Sequence, residues 1–276
     1  MADELKDRVA IVTGGGRGFG RAIAQRFAEE GAAVTVTART QEQLDETVSL
    51  IEEQGGRALA VSGDVTRPED VQRVVAATVD KFGPVSLLVN NAGIPDPFGP
   101  IGVVDPDHWW AAQEIHIRAP FLYISAVLPD MMKRRQGRII NISAVGGRRV
   151  APNLSAYCVG KAAQIRLTEL LAAEVEEYGL SVFAIDPGFV ITALAEQTID
   201  SPDAQRWLPE MVARLKARKK NNTGTEDLAR CQQRCVDLAS GRYDALSGKY
   251  MELDDDLEDM VLELESDDIT IIPADR

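Results

Sequence analysis

Along the chain, compact apolar runs alternate with stretches whose apolar residues recur every three to four positions. Runs at 8–13 (RVAIVT), 33–38 (AVTVTA), 57–62, 85–89 (VSLLV), 138–143 (RIINIS), 181–186 (SVFAID) and 248–253 (GKYMEL) read as strands. The intervening periodic stretches predict helices over 18–30, 41–54, 68–82, 107–134, 154–178 and 226–240. In the first of these, Ile23, Phe27 and Ala28 share one face and Gly31 closes the helix. Gly55 and Gly56 end the second, and Pro68 opens the third. The strands are apolar at consecutive positions, the pattern of strands covered on both faces. Repeated strand–helix alternation then requires a parallel sheet with helices on both sides. We expect a doubly wound α/β fold of about seven strands. There is no internal repeat and no change of composition before about residue 255. Residues 1–254 therefore read as one domain and 255–276 as a C-terminal extension.

Charge sharpens this division. The chain of 276 residues carries a net charge of −13. Ten acids and no base lie between Glu252 and Asp268, so that stretch supplies −10 and the remainder only −3. Neither part offers the basic surface that nucleic acid requires. The 45% hydrophobic and 26% charged content is that of an ordinary globular chain, which excludes fibrous and disordered classes. No run of about 18 apolar residues exists to cross a membrane. The opening MADELKDR lacks the apolar core of a signal peptide. Three cysteines, Cys158, Cys231 and Cys235, suit a reducing compartment, so we expect a cytoplasmic protein. Cys231 and Cys235 have no second ligand pair nearby, and we expect no metal.

The first strand runs into Thr13-Gly14-Gly15-Gly16-Arg17-Gly18-Phe19-Gly20, where the first helix starts. Glycines allow a tight turn and close approach of backbone to a pyrophosphate. The helix N-terminus supplies free N–H groups and the positive end of its dipole. This is the Rossmann arrangement, and its place between a strand and a helix is the confirming context. The residues after the second strand select the dinucleotide. A carboxylate there would bond the ribose 2′-OH of NAD, but this chain has Ala38-Arg39-Thr40. Arg39, with Arg17 from the glycine loop, can grip a 2′-phosphate. The cofactor expected is NADP(H), with NAD(H) as the alternative.

Four ordered motifs now stand together: the loop T-G-x-x-x-G-x-G, Asn90-Asn91-Ala92-Gly93, Tyr157-Cys158-Val159-Gly160-Lys161, and Pro187-Gly188. In order and spacing the chain resembles the short-chain dehydrogenase/reductase family, in its branch of roughly 250 residues, over residues 5 to about 253. The resemblance implies an oxidoreductase that interconverts a ketone and a secondary alcohol by hydride transfer. It implies cofactor contacts from Gly14, Arg17, Gly18, Phe19 and Gly20. Asp64 and Val65 would meet the adenine, and Asn90, Ala92 and Gly93 would line the cofactor and steady the sheet centre. Pro187, Gly188, Val190 and Thr192 would meet the nicotinamide carboxamide. Tyr157 would be the general acid/base and Lys161 its partner, both also touching the cofactor. The spacing makes physical sense, because residues four apart share a helix face. A nearby ammonium is expected to lower the phenol pKa of ~10, and Tyr157 can pass a proton to a carbonyl oxygen as hydride reaches the carbon. A small-molecule carbonyl or alcohol substrate is implied. So is a homodimer or homotetramer built on helices 107–134 and 154–178, with a hetero-oligomer as the variant.

Two positions depart from the family pattern. The family usually has a serine thirteen residues before the tyrosine, to polarise the substrate carbonyl, and here that residue is Ala144. Ser143 is adjacent and is the candidate substitute, although neighbouring side chains of an extended segment face opposite ways. The family also has an asparagine seven residues after a tryptophan in the long helix, supporting a water chain to the lysine. Counting from Trp109, that position is His116, which can both donate and accept. These departures motivate an alternative: a catalytically impaired homologue that binds cofactor and serves as a partner or regulatory subunit. Residues 189–224 fall where the family has its substrate lid. They mix Leu194, Trp207, Leu208, Met211 and Leu215 with a basic run, Arg214 to Lys220, that could meet an anionic substrate. In the tail, 260–264 reads as a strand or a short helix runs from 255, and 269–273 reads as extended.

Overall fold

A computed structural model describes residues 3–221 and 225–269. Seven strands form one parallel sheet: β1 Val9–Thr13, β2 Ala33–Thr37, β3 Arg57–Ala60, β4 Leu87–Asn90, β5 Arg138–Ile142, β6 Ser181–Ile185 and β7 Tyr250–Met251. Their order across the sheet is β3-β2-β1-β4-β5-β6-β7. The order reverses between β1 and β4, and ligands of doubly wound sheets bind beyond the strand ends at that switch point. The register sets Ala10 against both Val34 and Leu87, and Asn90 against Asn141.

Helices α1 (Gly18–Glu29), α2 (Gln41–Glu53) and α3 (Pro68–Phe82) follow the first three strands. The helices α4 (Pro106–Gln113) and α5 (Ala119–Arg134) precede β5, and α6 (Ser155–Val175) precedes β6. The lid comprises α7 (Ala193–Asp200), α8 (Pro202–Trp207) and α9 (Pro209–Lys220), and α10 (Thr225–Ser240) leads to β7. One apolar layer joins Phe27, Val34, Phe183, Leu238 and Met251, and the opposite layer joins Ile11, Leu88, Tyr123, Met131 and Val182. β1, β4, β5 and β6 each feed both layers, as strands covered on both faces should.

Two expectations change. Strand 248–253 contracts to Tyr250–Met251. The expected helix 107–134 is interrupted by a π turn over Glu114–Arg118. Of the two readings of the tail, strand or helix, the structure has the helix, α11 (Leu257–Ile269). Asp256 starts that helix, its Oδ1 accepting from the N–H groups of Glu258 (2.9 Å) and Asp259 (3.2 Å). Leu257, Met260, Val261 and Leu264 recur at helical spacing and pack against the first apolar layer. Residues 270–273, expected to be extended, lie outside the described residues. Among the described residues no helix is long and apolar enough to cross a membrane, and no group of side chains is arranged to hold a metal.

Candidate active site

Two cavities open beyond the strand ends and share part of their walls: Phe19, Asn91, Gly93, Thr192 and Leu194 line both. The first, of about 480 Å³, is walled by Gly14, Gly16, Arg17, Gly18, Phe19, Arg39, Asp64, Val65 and Ala92, among others. Its floor is backbone. Gly14 sits at φ +65°, the left-handed region that disfavours side chains, and a Cβ on Gly20 would collide with the Gly14 carbonyl oxygen. The N-terminus of α1 is not capped by any side chain, so its free N–H groups open onto this space. Arg17 and Arg39 are both exposed at the wall, and neither is held in an ion pair among the described residues. A cradle of glycine backbone, an uncapped helix start and two unpaired guanidinium groups fit a dinucleotide. Asp64 is partly committed, its Oδ1 accepting from the N–H and hydroxyl of Thr66 at 2.9 and 2.7 Å.

Two of the expected cofactor residues do not reach the cavity wall. Gly20 provides close packing beneath the loop instead. Asn90 turns inward, donating through Nδ2 to Asn141 Oδ1 at 2.9 Å. Asn141 Nδ2 donates to Thr168 Oγ1 at 2.9 Å, and Thr168 donates to the Gln164 carbonyl. Asn90 therefore anchors a buried polar column through the sheet centre. The exposed role falls to Asn91, whose Nδ2 donates to the Thr13 carbonyl at 2.9 Å and clamps the glycine loop. The doubled asparagine carried that signal, because successive residues at a strand end face opposite sides.

The second cavity, of about 690 Å³, contains Tyr157, Lys161, Ser143, Ala144, Asp186, Pro187, Gly188 and Val190. Apolar cover comes from Phe98 and Leu154 and from the lid residues Leu194, Met211 and Leu215. Of the basic run, Arg214 and Arg218 reach the wall, and Arg218 lies 4.4 Å over the Phe189 ring. Lys219 is paired instead with Glu196 at 2.7 Å.

In the second cavity, beside Gly93 of the shared wall, the Lys161 ammonium lies 5.7 Å from the centre of the Tyr157 ring. Lys161 Nζ donates to the Ile142 carbonyl at 2.6 Å and to Gln164 Oε1 at 3.1 Å. Burial lowers its pKa to about 7, with Asp186 opposing the fall. The Tyr157 phenol does not shift as the sequence leads us to expect. Burial, and after it the charge of Asp186, pushes its pKa up. Ser143 is buried and its Oγ donates to the Lys161 carbonyl at 2.9 Å, so its one proton is already bound. Ala144, also in the wall, has no hydroxyl to offer.

His116 is fully buried on the π turn. A carbonyl can only accept, so His116 Nε2 carries the proton and donates to the Ile94 carbonyl at 2.9 Å. Nδ1 is then a buried acceptor, and no partner reaches it. The imidazole meets the Tyr157 ring edge-on, with centroids 5.6 Å apart. Burial first, and Lys161 second, lower its pKa to about 3, which keeps it neutral. Room for this ring comes from α6: a Cβ on Gly160 would lie 2.5 Å from His116 Cβ. Four residues on, Pro120 has no N–H to return to the His116 carbonyl. That oxygen accepts from Gln164 Nε2 at 2.8 Å instead. Gln164 thus bridges Lys161 and the π turn. It was overlooked in the sequence, where its only signal is its place three residues after Lys161 on the same helix face. His108 belongs to a helix start, its N–H capped by Asp105 Oδ1 at 2.8 Å.

Comparison with known proteins agrees with this geometry. The family model described as short chain dehydrogenase matches residues 8–203. A short chain dehydrogenase of Pseudocercospora fijiensis (strain CIRAD86) is 34% identical over 99% of this chain and 88% of its own length. The 3-oxoacyl-[acyl-carrier-protein] reductase of Synechocystis sp. is 36% identical over 73% of this chain and 81% of its own. The crystal structure of levodione reductase superposes with a TM-score of 0.79 at 27% identity, covering 90% of this chain and 96% of that one. The chain belongs to the short-chain dehydrogenase/reductase family of NAD(P)-dependent oxidoreductases.

Proposed function

We propose that this protein is an NADP(H)-preferring reductase of a carbonyl compound, with Tyr157 as the acid and Lys161 as its electrostatic and ribose-binding partner. The observation that carries the reading is the Tyr157–Lys161 pair in the larger, largely apolar cavity, which shares Asn91 and Gly93 of its wall with the glycine-floored one. When bound, the nicotinamide supplies or takes the hydride. The chain's residues do the rest. Gly14, Gly18 and the start of α1 receive the pyrophosphate. Arg17 and Arg39 favour a 2′-phosphate over a free hydroxyl. Val65 and Asp64 border the adenine end, while Pro187, Gly188, Val190 and Thr192 border the nicotinamide end. Phe98, Leu154 and the lid exclude water from an apolar substrate.

A phenol whose pKa is raised keeps its proton at neutral pH, which suits donation to a carbonyl oxygen better than abstraction from an alcohol. Reduction is therefore the direction we assign. His116, neutral and hydrogen-bonded, is proposed to hold the π turn and the edge of Tyr157 rather than to carry charge. Its free Nδ1 offers an acceptor for a water near Lys161. The oligomer proposed is a homodimer or homotetramer through the long helices, whose outer faces expose Trp110, Phe121, Val159 and Leu170.

The test is turnover of NADPH against a broad panel of ketones and aldehydes, with Tyr157→Phe as control. Turnover by the wild type that Tyr157→Phe loses by at least a hundredfold supports the reading. Tight NADPH binding with no turnover of any carbonyl, or of any alcohol with the oxidised cofactor, would overturn it in favour of a cofactor-binding partner subunit.

A further inference from the structure

The cavity holds one ionisable group that the roles above leave unused. Asp186 ends β6 immediately before Pro187, and it faces the same space as Tyr157 and Ala144. Its Oδ1 accepts from the N–H of Val145 at 3.3 Å, so the carboxyl group is tied to the residue next to Ala144. The Gly188 N–H also bonds the carboxyl group. The family's serine would have stood at 144, and the other nearby hydroxyl, Ser143, is spent on the Lys161 carbonyl.

Building on the oxidoreductase reading above, we propose that Asp186, as its neutral carboxylic acid, donates the hydrogen bond that polarises the substrate carbonyl, in place of the missing serine. The acid keeps its own proton. The proton that ends on the substrate oxygen leaves Tyr157 Oη, and the hydride comes from the reduced nicotinamide, so Asp186 stabilises charge without being consumed.

Its surroundings extend the neutral form to a pH of about 6. The groups facing it are Val145 N–H from the turn after β5, Tyr157 and Lys161 on α6, Asp227 and Cys231 on α10, and Tyr250 and Glu252 on and after β7. Burial raises its pKa to about 6, helped by the carboxylates of Glu252 and Asp227 and opposed by the two backbone N–H groups. Glu252 is itself paired with Arg149 at 3.3 Å and Asp227 with Arg230 at 3.6 Å. A carboxyl group in this position is therefore a donor on the acid side of neutrality and an acceptor above it.

The experiment is the pH profile of kcat/KM for NADPH-linked reduction between pH 5 and 8.5, in the wild type, Asp186→Asn, Asp186→Ala and Ala144→Ser. Loss of one such donor costs ~10²–10³ in rate. The wild type should fall roughly tenfold per pH unit above about 6, toward a floor ~10²–10³ lower. Lys161 titrates nearby, so the differences between variants decide. Asp186→Asn keeps a donor that does not titrate, and its profile should lose the alkaline decline while rates stay within about tenfold of the wild-type maximum. Asp186→Ala should sit near the floor at every pH. Ala144→Ser, which leaves Asp186 untouched, should raise the rate at pH 8 by at least tenfold. Wild-type rates and profile in Asp186→Ala would overturn the proposal, as would an alkaline limb that Ala144→Ser does not move. Absence of turnover in the wild type would overturn the oxidoreductase reading and this proposal together, whereas turnover lost in Tyr157→Phe but kept in Asp186→Ala would overturn this one alone.

Discussion

Gly160→Ala sets two physical effects of opposite sign against each other. Gly160 lies inside α6, and replacing an interior helical glycine with alanine ordinarily stabilises by about 0.8–1 kcal/mol. At this position the added Cβ would lie 2.5 Å from His116 Cβ and 2.9 Å from its Cγ. Carbon atoms prefer separations of ~3.5–4.0 Å, so a shift of about an ångström is needed. His116 cannot make it freely. Its Cβ belongs to the π turn, its ring is fully buried against Tyr157, and Nε2 is anchored on Ile94. Overpacking in such a setting costs about 1–3 kcal/mol, and the anchoring on three sides places this case in the upper half. The net expectation is destabilisation by about 1–2 kcal/mol. At ~2–4 °C per kcal/mol for a chain of this order, Tm should fall by about 2–8 °C. Calorimetry on the purified protein measures it, with NADPH-linked turnover as a second readout, because the shifted ring bears on Tyr157. A rise in Tm of about 2–4 °C, the value helix propensity alone gives, would refute the packing reasoning and the claim that Gly160 makes room for His116.

Further outcomes follow from the charged groups. Arg39→Ala should weaken NADPH by about 1–2 kcal/mol, roughly 5- to 30-fold in Kd, since an exposed guanidinium is worth less than a buried one. NADH should bind as before, and calorimetric titration with both cofactors sees the difference; equal weakening of the two would remove Arg39 from the 2′-phosphate site. His116 makes acid stability depend on pH in a defined window. Its pKa is about 3 in the folded chain against 6.5 when unperturbed, so below pH 6.5 the unfolded chain binds a proton that the native one refuses. Stability falls as pH drops from 6.5 toward 3, by up to about 1.4 kcal/mol per unit from this group. Urea unfolding at pH 7, 6, 5 and 4 should show a shallower acid decline in His116→Gln than in the wild type, and parallel declines would show that another group sets the acid limb.

The strands and most helices were legible because each carries its own period, and the alternation of strand and helix leaves a parallel sheet as the economical solution. Boundaries were less so. Strand 248–253 contracts to Tyr250–Met251, which pair with β6 at the edge of the sheet. The π turn was hidden for a different reason. Nothing in the local periodicity of 107–134 demands an extra residue in the turn. What permits it is a proline that frees one carbonyl, a glutamine on another helix that takes it, and a glycine that clears space. Three residues spread over 45 positions fix one turn, and their convergence exists only in the fold. Asn90 and Asn91 show the same limit on a smaller scale, since the motif names both while only the strand's pleat tells which side chain meets the cavity. The Tyr157 phenol moves opposite to the expectation because burial, which sequence spacing does not display, raises its pKa, and Asp186 adds to the rise.

The two departures from the family pattern, which look alike in the sequence, are therefore different in kind. At 116 a larger residue has been absorbed. Its ring fills space left by Gly160, its N–H satisfies Ile94, and its carbonyl is claimed by Gln164. What remains is one unpaired acceptor, Nδ1, close to the lysine's side of the site. At 144 a group has been removed, and packing cannot replace a lost donor. In the reduction proposed above, an alanine at 144 leaves the developing negative charge on the substrate oxygen to Tyr157 alone. Compensation has to come from a proton held nearby. The source proposed is the carboxyl group of Asp186, protonated below about pH 6 and tied by the Val145 N–H to the residue beside Ala144. If Ala144 instead marks lost activity, the charge of the half-buried Asp186 between Asp227 and Glu252 only costs stability at neutral pH. Replacing Asp186 by leucine separates the two. A relic site should gain stability at pH 8 and lose nothing else, whereas a working one should gain stability and lose turnover.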